Sequence, residues 1–175
     1  MATVFTSNLR LALPTTGAES GTWGTTVNDG ITTLVDTAIT GLASLSMTTA
    51  DYTLSTANGA TDEARCMFLT IGGTPGAARN IIVPALSKLY IVYNNSTGGY
   101  AQTVKTSAGT GISVPNGSRA VLYCDGTNVV TAATYASAMT LGTALPVASG
   151  GTGLSSAGTS GYVLASNGTA FVATD

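Results

Sequence analysis

The sequence predicts a mainly β protein: an N-terminal extended arm and one amphipathic helix, then an antiparallel β-sandwich or barrel, then a Gly-rich linker and a short β element. Three observations carry this reading. Apolar positions repeat at a helical period only over residues 23–42. From about Ser46 to Tyr135, short runs rich in β-branched and aromatic residues follow one another, divided by Gly, Asn, Pro and Asp. No second helical pattern interleaves with those runs, which argues against alternating β and α units.

Residues 1–22 read as an arm. In "TSNLRLALPTTGAESG", Leu9, Leu11 and Leu13 alternate with Asn8, Arg10 and Ala12 until Pro14 and Gly17 break the pattern. Such a strand-like arm is expected to pair with something else. Over residues 23–42, a step of 100° per residue puts Trp23, Val27, Ile31, Leu34, Val35, Ala38, Ile39 and Leu42 on one face. The stripe is wider than one neighbour requires, while Thr-rich composition and two glycines (Gly24, Gly30) weaken the helix itself. It needs a partner, either its own sheet or symmetry copies of the chain. Arm and helix together make a first segment, 1–45.

The second segment, 46–138, contains the strands. "SMTTADYTLS", "ARCMFLTIGG", "RNIIVPA", "KLYIVYNNS", "YAQTVKTS", "GISVP", "SRAVLYCD" and "NVVTAATY" are each strand-sized, and turns such as "GGTPGAA", "NNSTGG" and "PNGS" divide them. A Gly/Ser/Thr-rich linker follows at 139–160. The last segment, 161–175, echoes an earlier one: "LYCDGTNVVTA" (122–132) and "LASNGTAFVAT" (164–174) share Leu, Asp or Asn, Gly, Thr and Val at matching offsets. Asp-Gly and Asn-Gly are hairpin signals, because both tolerate positive φ. A β element that stops so soon after its turn implies that the natural chain continues.

Composition constrains function. Hydrophobic residues make up 44% of the 175, but charged residues only 8% against about 25% in ordinary domains. Mean hydropathy is +0.34, yet no apolar run approaches the length of a membrane span. The chain is either an unusually neutral monomer or one whose surface is largely covered by copies of itself. The second reading is favoured, because soluble monomers normally keep charge to avoid self-association. A net charge of −2 with no basic cluster speaks against nucleic acid. The N-terminus has no secretory pattern.

Little in the sequence suggests chemistry. There is no histidine, which removes the usual general base and imidazole metal ligands. Asp62–Glu63 is the one adjacent carboxylate pair and is expected in a solvated turn. "SGGTG" (149–153) lacks the Lys-Ser/Thr ending of a phosphate loop. Cys66 and Cys124 sit in apolar runs and read as two buried thiols, with one disulfide as the other option. No catalytic residue, cofactor or metal is expected. Of seven tyrosines, Tyr100 in "STGGYAQ" is the one best placed to touch a ligand.

Three stretches resemble a known family. "SNLRLALPTTGAESGTWGTTVNDGI" (7–31) looks like the N-terminal module of tail-fiber-type proteins of tailed bacteriophages. "ISVPNGSRAVLYCDGTNVV" (112–130) is similar to a β element of such virion proteins, and "LPVASGGTG" (145–153) resembles the linker that often precedes a distal receptor-binding part. The resemblance implies an intertwined, parallel homotrimer located in the virion. Leu9, Leu11, Pro14, Gly21, Trp23 and Gly24 match the attachment module. A trimer interface is then expected along Val27, Ile31, Leu34, Ala38 and Leu42, and a joint at Leu145, Pro146, Gly150, Gly151 and Gly153. The implied partners are sister chains and phage tail, adaptor or nozzle proteins, with host surface glycan reached through distal parts. A capsid-decorating head fiber and a module that binds glycan directly are the alternative roles. The usual long shaft and receptor-binding tip have no counterpart in these residues.

Overall fold

The protein is described here from a computed structural model covering residues 4–135, 145–147, 151–152, 154 and 161–174. The chain divides into two compact units, Met1–Thr134 and Tyr135–Asp175. The fold is mainly β. Unit one opens with a small hairpin, β1 (Val4–Phe5) and β2 (Ala12–Leu13), followed by a continuous helical stretch. It then holds nine strands: β3 (Leu42–Met47), β4 (Tyr52–Thr53), β5 (Phe68–Gly73), β6 (Asn80–Val83), β7 (Ser87–Asn94), β8 (Gln102–Thr106), β9 (Gly111–Val114), β10 (Arg119–Asp125) and β11 (Val129–Thr131).

These strands form two open sheets, ordered β11-β10-β7-β5-β3 and β4-β6-β8-β9. From β3 to β8, successive strands alternate between the sheets. Each return to a sheet lands one position further on and runs in the same direction. The pairs β3–β5, β5–β7, β4–β6 and β6–β8 are therefore parallel. Within these two sheets the chain folds back only toward the end, making β8–β9, β7–β10 and β10–β11 antiparallel. This corrects the expected antiparallel arrangement. A run-and-turn rhythm is the same whether a strand returns beside its predecessor or crosses to the opposite sheet. Parallel neighbours need a crossover of about a dozen residues, and the intervening strand of the other sheet supplies it.

Both sheets contribute to one apolar cluster. Leu45, Ile71, Val92 and Leu122 come from the five-stranded sheet, and Ile81, Val104 and Val114 from the four-stranded one. Each such side chain stabilises the fold by about 1.5–3 kcal/mol. β3 illustrates the period-two logic: Ala43, Leu45 and Met47 are buried, while Leu42, Ser44 and Ser46 are exposed. Two amides in the interior find partners. Asn94 Nδ2 donates to the carbonyls of Tyr100 (3.0 Å) and Val114 (2.9 Å), and Gln102 Oε1 accepts from the Arg79 N–H (3.0 Å). Cys66 and Cys124 are buried, free thiols.

The helix runs from Trp23 to Thr40 in three parts: α1 (Trp23–Val27), a π turn (Asn28–Thr32) and α2 (Thr33–Thr40). In the π turn the Thr33 N–H reaches back five residues to the Asn28 carbonyl. The helix stops at Gly41, whose backbone is extended (φ −67°, ψ 140°). Leu42 thus belongs to β3 rather than to the helix face, a second correction. A side chain at Gly41 would run into the Thr37 carbonyl and the Cys66 sulfur, so only glycine permits this close turn from helix to strand.

Unit two contains a hairpin, β12 (Val163–Ser166) and β13 (Phe171–Thr174), paired Val163 to Thr174 through Ser166 to Phe171. Its turn reproduces that between β10 and β11. Asn167 Oδ1 accepts from the Thr169 and Ala170 N–H groups (3.0 and 2.8 Å), as Asp125 Oδ1 does from Thr127 and Asn128 (2.7 Å each). Gly168 and Gly126 supply the positive φ (88° and 97°). The echo noted in the sequence is a repeated hairpin.

Candidate functional site

The expected attachment residues lie on the β1–β2 hairpin, the loop after it and the helix. Thr6 and Leu11 close the hairpin: the Thr6 N–H donates to the Leu11 carbonyl, and the Leu11 N–H to Thr6 Oγ1, both at 2.9 Å. At its tip Arg10 takes a left-handed conformation (φ 52°), which aims its carbonyl at the Gly59 N–H, 2.9 Å away. Gly59 lies under the Phe5 ring, where a Cβ would come within 2.6 Å of the ring edge. The arm is therefore a hairpin seated on its own domain, and Leu9 marks the seat: its carbonyl accepts from the Arg65 guanidinium.

Pro14 and Trp23, which the sequence reading grouped, line one open surface cleft of about 440 Å³ with Thr15, Thr16, Gly17, Glu19 and Ser20. Gly17 and Gly21 bend the intervening loop through positive φ. The Glu19 carboxylate ties that loop to the helix, accepting from Thr22 (3.1 Å) and Thr26 (2.8 Å) hydroxyls. Trp23 is 61% exposed at the cleft's edge. An exposed indole among hydroxyls suits an apolar or proline-bearing segment of a protein partner. Leu9 and Leu11 do not join this cleft.

The expected interface stripe is split. Leu34 is buried by its own chain (1% exposed), and Val27, Ile31 and Ala38 are half-buried. Ile39 (58%) and Leu42 (59%) face outward, the latter from β3. Gly30 lets the helix touch the hairpin, since a Cβ there would lie 2.8 Å from that of Ala12. The π turn changes the residue count per turn and so rotates later positions away from the 100° pattern.

The acidic pair is not a solvated turn, because Arg65 lies close by. Asp62, its side chain 5% exposed, pairs with the buried Arg65 at 3.2 Å and caps the short turn Glu63–Arg65 by accepting from the Arg65 N–H at 2.7 Å. Arg65 Nη2 also donates to the carbonyls of Ala57 and Ala60, each at 3.1 Å. Burial pushes the Glu63 carboxyl up, but bonds from the Ser55 N–H (2.8 Å) and Tyr52 hydroxyl (2.5 Å) outweigh it and hold the group below its usual range. Lys88 closes the other side, donating to the Ala64, Arg65 and Cys66 carbonyls at 2.5, 2.5 and 2.9 Å. Burial lowers its pKa to about 8. The cavity among Leu9, Asp62, Arg65, Lys88 and Tyr90 is about 30 Å³, room for a water or two and not for a sugar. Both carboxylates hold loops, and both also line an open surface cleft of about 330 Å³ with Thr37, Leu42, Ser55 and Cys66. Arg65 was the residue to find: the spacing D-x-x-R in "TDEAR" is the one local signal for it.

Elsewhere, Tyr100 is 40% exposed beside Gly98 and Gly99. In the linker, Leu145 and Pro146 are exposed and the Gly151 N–H donates to the Pro146 carbonyl at 3.1 Å. A side chain at Gly151 would strike Leu145, so this glycine serves a tight local turn. Gly150 and Gly153 lie outside the described residues. No group of three or more Cys, Asp or Glu gathers into a metal-sized cluster among the described residues, and no helix there is long and apolar enough to cross a membrane. No protein-family model, curated protein or solved structure matches this chain.

Proposed function

We propose that this chain is a structural, non-enzymatic component of a tailed-bacteriophage virion. It forms the proximal part of a homotrimeric tail fiber, anchors the fiber to the tail and supports host adsorption. The observation that carries the reading is the exposed apolar surface of the N-terminal module, Trp23 and Ile39, in a chain with only 8% charged residues. Such surface calls for protein neighbours. The resemblance of residues 7–31 to fiber attachment modules supplies their kind. Trp23 and Pro14 contact the tail or its adaptor, Ile39 with the half-buried helix positions contacts sister chains, and the two sheets are the layers of a sandwich that projects outward.

Antibody-gold labelling of intact virions tests the location: label at the tail supports the reading, and label on the head or on no virion overturns it. Light scattering tests the assembly. The chain is expected at three times its mass, and Ile39→Asp, which leaves the buried Leu34 untouched, is expected to return it to single copies. A wild-type chain that stays single on concentration removes the trimer. Tyr100, exposed on its Gly-Gly turn, favours a second reading in which host glycan binds directly. Glycan-array binding lost on Tyr100→Ala would establish that reading.

A further inference from the structure

We infer that the outward face of the five-stranded sheet is a contact surface for a second copy of this chain, packed two-fold so that Arg119 of each copy meets the partner's Asp125. The face carries apolar rows set by the strand register. Leu42, Phe68, Ile91 and Val121 stand side by side across β3, β5, β7 and β10. One step along the strands, Leu89, Tyr123 and Val130 form a second row across β7, β10 and β11. Apart from the half-buried Ile91, these side chains are 37–59% exposed. Together they present on the order of 500 Å² of mostly apolar surface, at the upper end of what monomers show, and two such faces reach the ~1,000 Å² that a specific interface needs.

Charge placement selects the occupant. The outward residues of β10 read Arg119, Val121, Tyr123, Asp125: a cation at one end, an anion at the other and apolar groups between. Arg119 is fixed over the Tyr93 ring at 3.9 Å, and Asp125 is fixed by the turn N–H groups of Thr127 and Asn128. An axis lying in the plane of contact and crossing the strands between the two rows reverses the partner's strands. Each row then lies on the other row, and each charge on its opposite. Ser44 and Thr70 continue the Arg119 end and Ser87 the Asp125 end, forming a polar rim. A parallel three-fold contact on this face would instead place Arg119 on Arg119 and Asp125 on Asp125. This contact needs neither the virion assignment nor the helix stripe.

The test is sedimentation equilibrium of the full chain with four variants, each first checked for a wild-type melt. The wild type is expected to double its particle, one copy to two or three to six, with a midpoint in the micromolar range. Arg119→Glu should weaken doubling at least tenfold. Arg119→Glu with Asp125→Asn should recover most of it, because Asn serves the same turn at Asn167 while removing the repulsion. Val121→Glu should abolish doubling. Ile39→Asp should remove a trimer and leave doubling intact, which separates this contact from the fiber reading. The inference is overturned if the wild type never doubles, including a chain that stays undoubled and binds lipid vesicles instead. It is equally overturned if both Arg119→Glu and Val121→Glu double as the wild type does.

Discussion

The guanidinium of Arg65 donates to the carbonyl oxygen of Leu9, fifty-six residues earlier in the chain, while its other nitrogen pairs with Asp62 at 3.2 Å. One buried side chain therefore holds both the arm and the 57–65 loop. Replacing Arg65 with Met leaves the Asp62 carboxylate buried without its cation, a change that costs about 3–5 kcal/mol. The expected result is a Tm lowered by about 10 °C, with faster amide exchange concentrated in residues 6–13 and 57–65. Lys at position 65 should recover little, since one ammonium cannot serve Leu9, Ala57, Ala60 and Asp62 together. Unchanged exchange in the arm would show that the hairpin stands without this link.

A second contact governs how the arm meets the helix. A Cβ on Gly30 would lie 2.8 Å from that of Ala12, which is itself buried. Gly30→Ala gains roughly 1 kcal/mol of helix propensity but forces the hairpin outward, so a net loss of about 1–2 kcal/mol is expected. Ala12→Gly in the same chain should reverse most of the loss. Denaturation of the four members of this cycle reads the coupling directly, and additive effects would mean that the two residues do not touch.

The contrast between legible and hidden features follows from how far apart the cooperating residues lie. Eight strand-sized runs between Ser46 and Tyr135 coincide with β4 to β11, because alternation and turn residues are local properties. β3 was hidden: "LASLSM" adjoins the helix and was absorbed into its stripe through Leu42. Parallel pairing was hidden because no residue marks whether a turn doubles back or crosses between sheets. The π turn was hidden too, and with it the outward turn of Ile39. Within the candidate site, the grouping of Pro14 with Trp23 was legible from their shared stretch. The Arg65–Leu9 link was not, since nothing near either residue points to the other. The outward face of β10 escaped notice because both alternating sets of "RAVLYCD" contain apolar residues, which blurs inside and outside.

The repeated hairpin offers a chemical comparison inside one molecule. Bonds from the Asn128 and Thr127 N–H groups hold the Asp125 carboxyl below its ordinary range. Asn167 makes the same bonds without charge. Asp125→Asn should therefore leave the melt almost unchanged, whereas Asp125→Ala should lower it by about 3–6 °C. Because the folded-state pKa is depressed, any advantage of Asp over Asn is present at neutral pH. It should begin to fall at the ordinary carboxyl value of 3.8 and be lost as pH drops through the depressed folded value. Melts at pH 7 and pH 3 check both statements. A large loss with Asn would mean that the charge, and not the turn bonds, matters.

Lys88 gives the fold a pH dependence of the opposite chemical type. Burial lowers its pKa from 10.5 to about 8, while the unfolded chain keeps the ordinary value. Between those values the unfolded state binds more protons, so this group makes stability rise with pH across the window. The full stabilisation is present above pH 10.5 and is lost as pH falls toward 8. Other groups act against it: burial raises Cys66, and it raises Tyr90 as well, so each favours the folded state less as pH climbs. The isolating comparison is Lys88→Met, which keeps the stem and removes the titration. The stability of the wild type minus that of the variant should increase by on the order of 1–2 kcal/mol between pH 8 and 10.5, with partial exposure keeping it under the value for a dry site. Urea denaturation at four pH values across that window measures it. A flat difference would show that the bonds to the Ala64, Arg65 and Cys66 carbonyls hold the ammonium charged throughout, and that Lys88 works as a fixed cationic clamp on that turn.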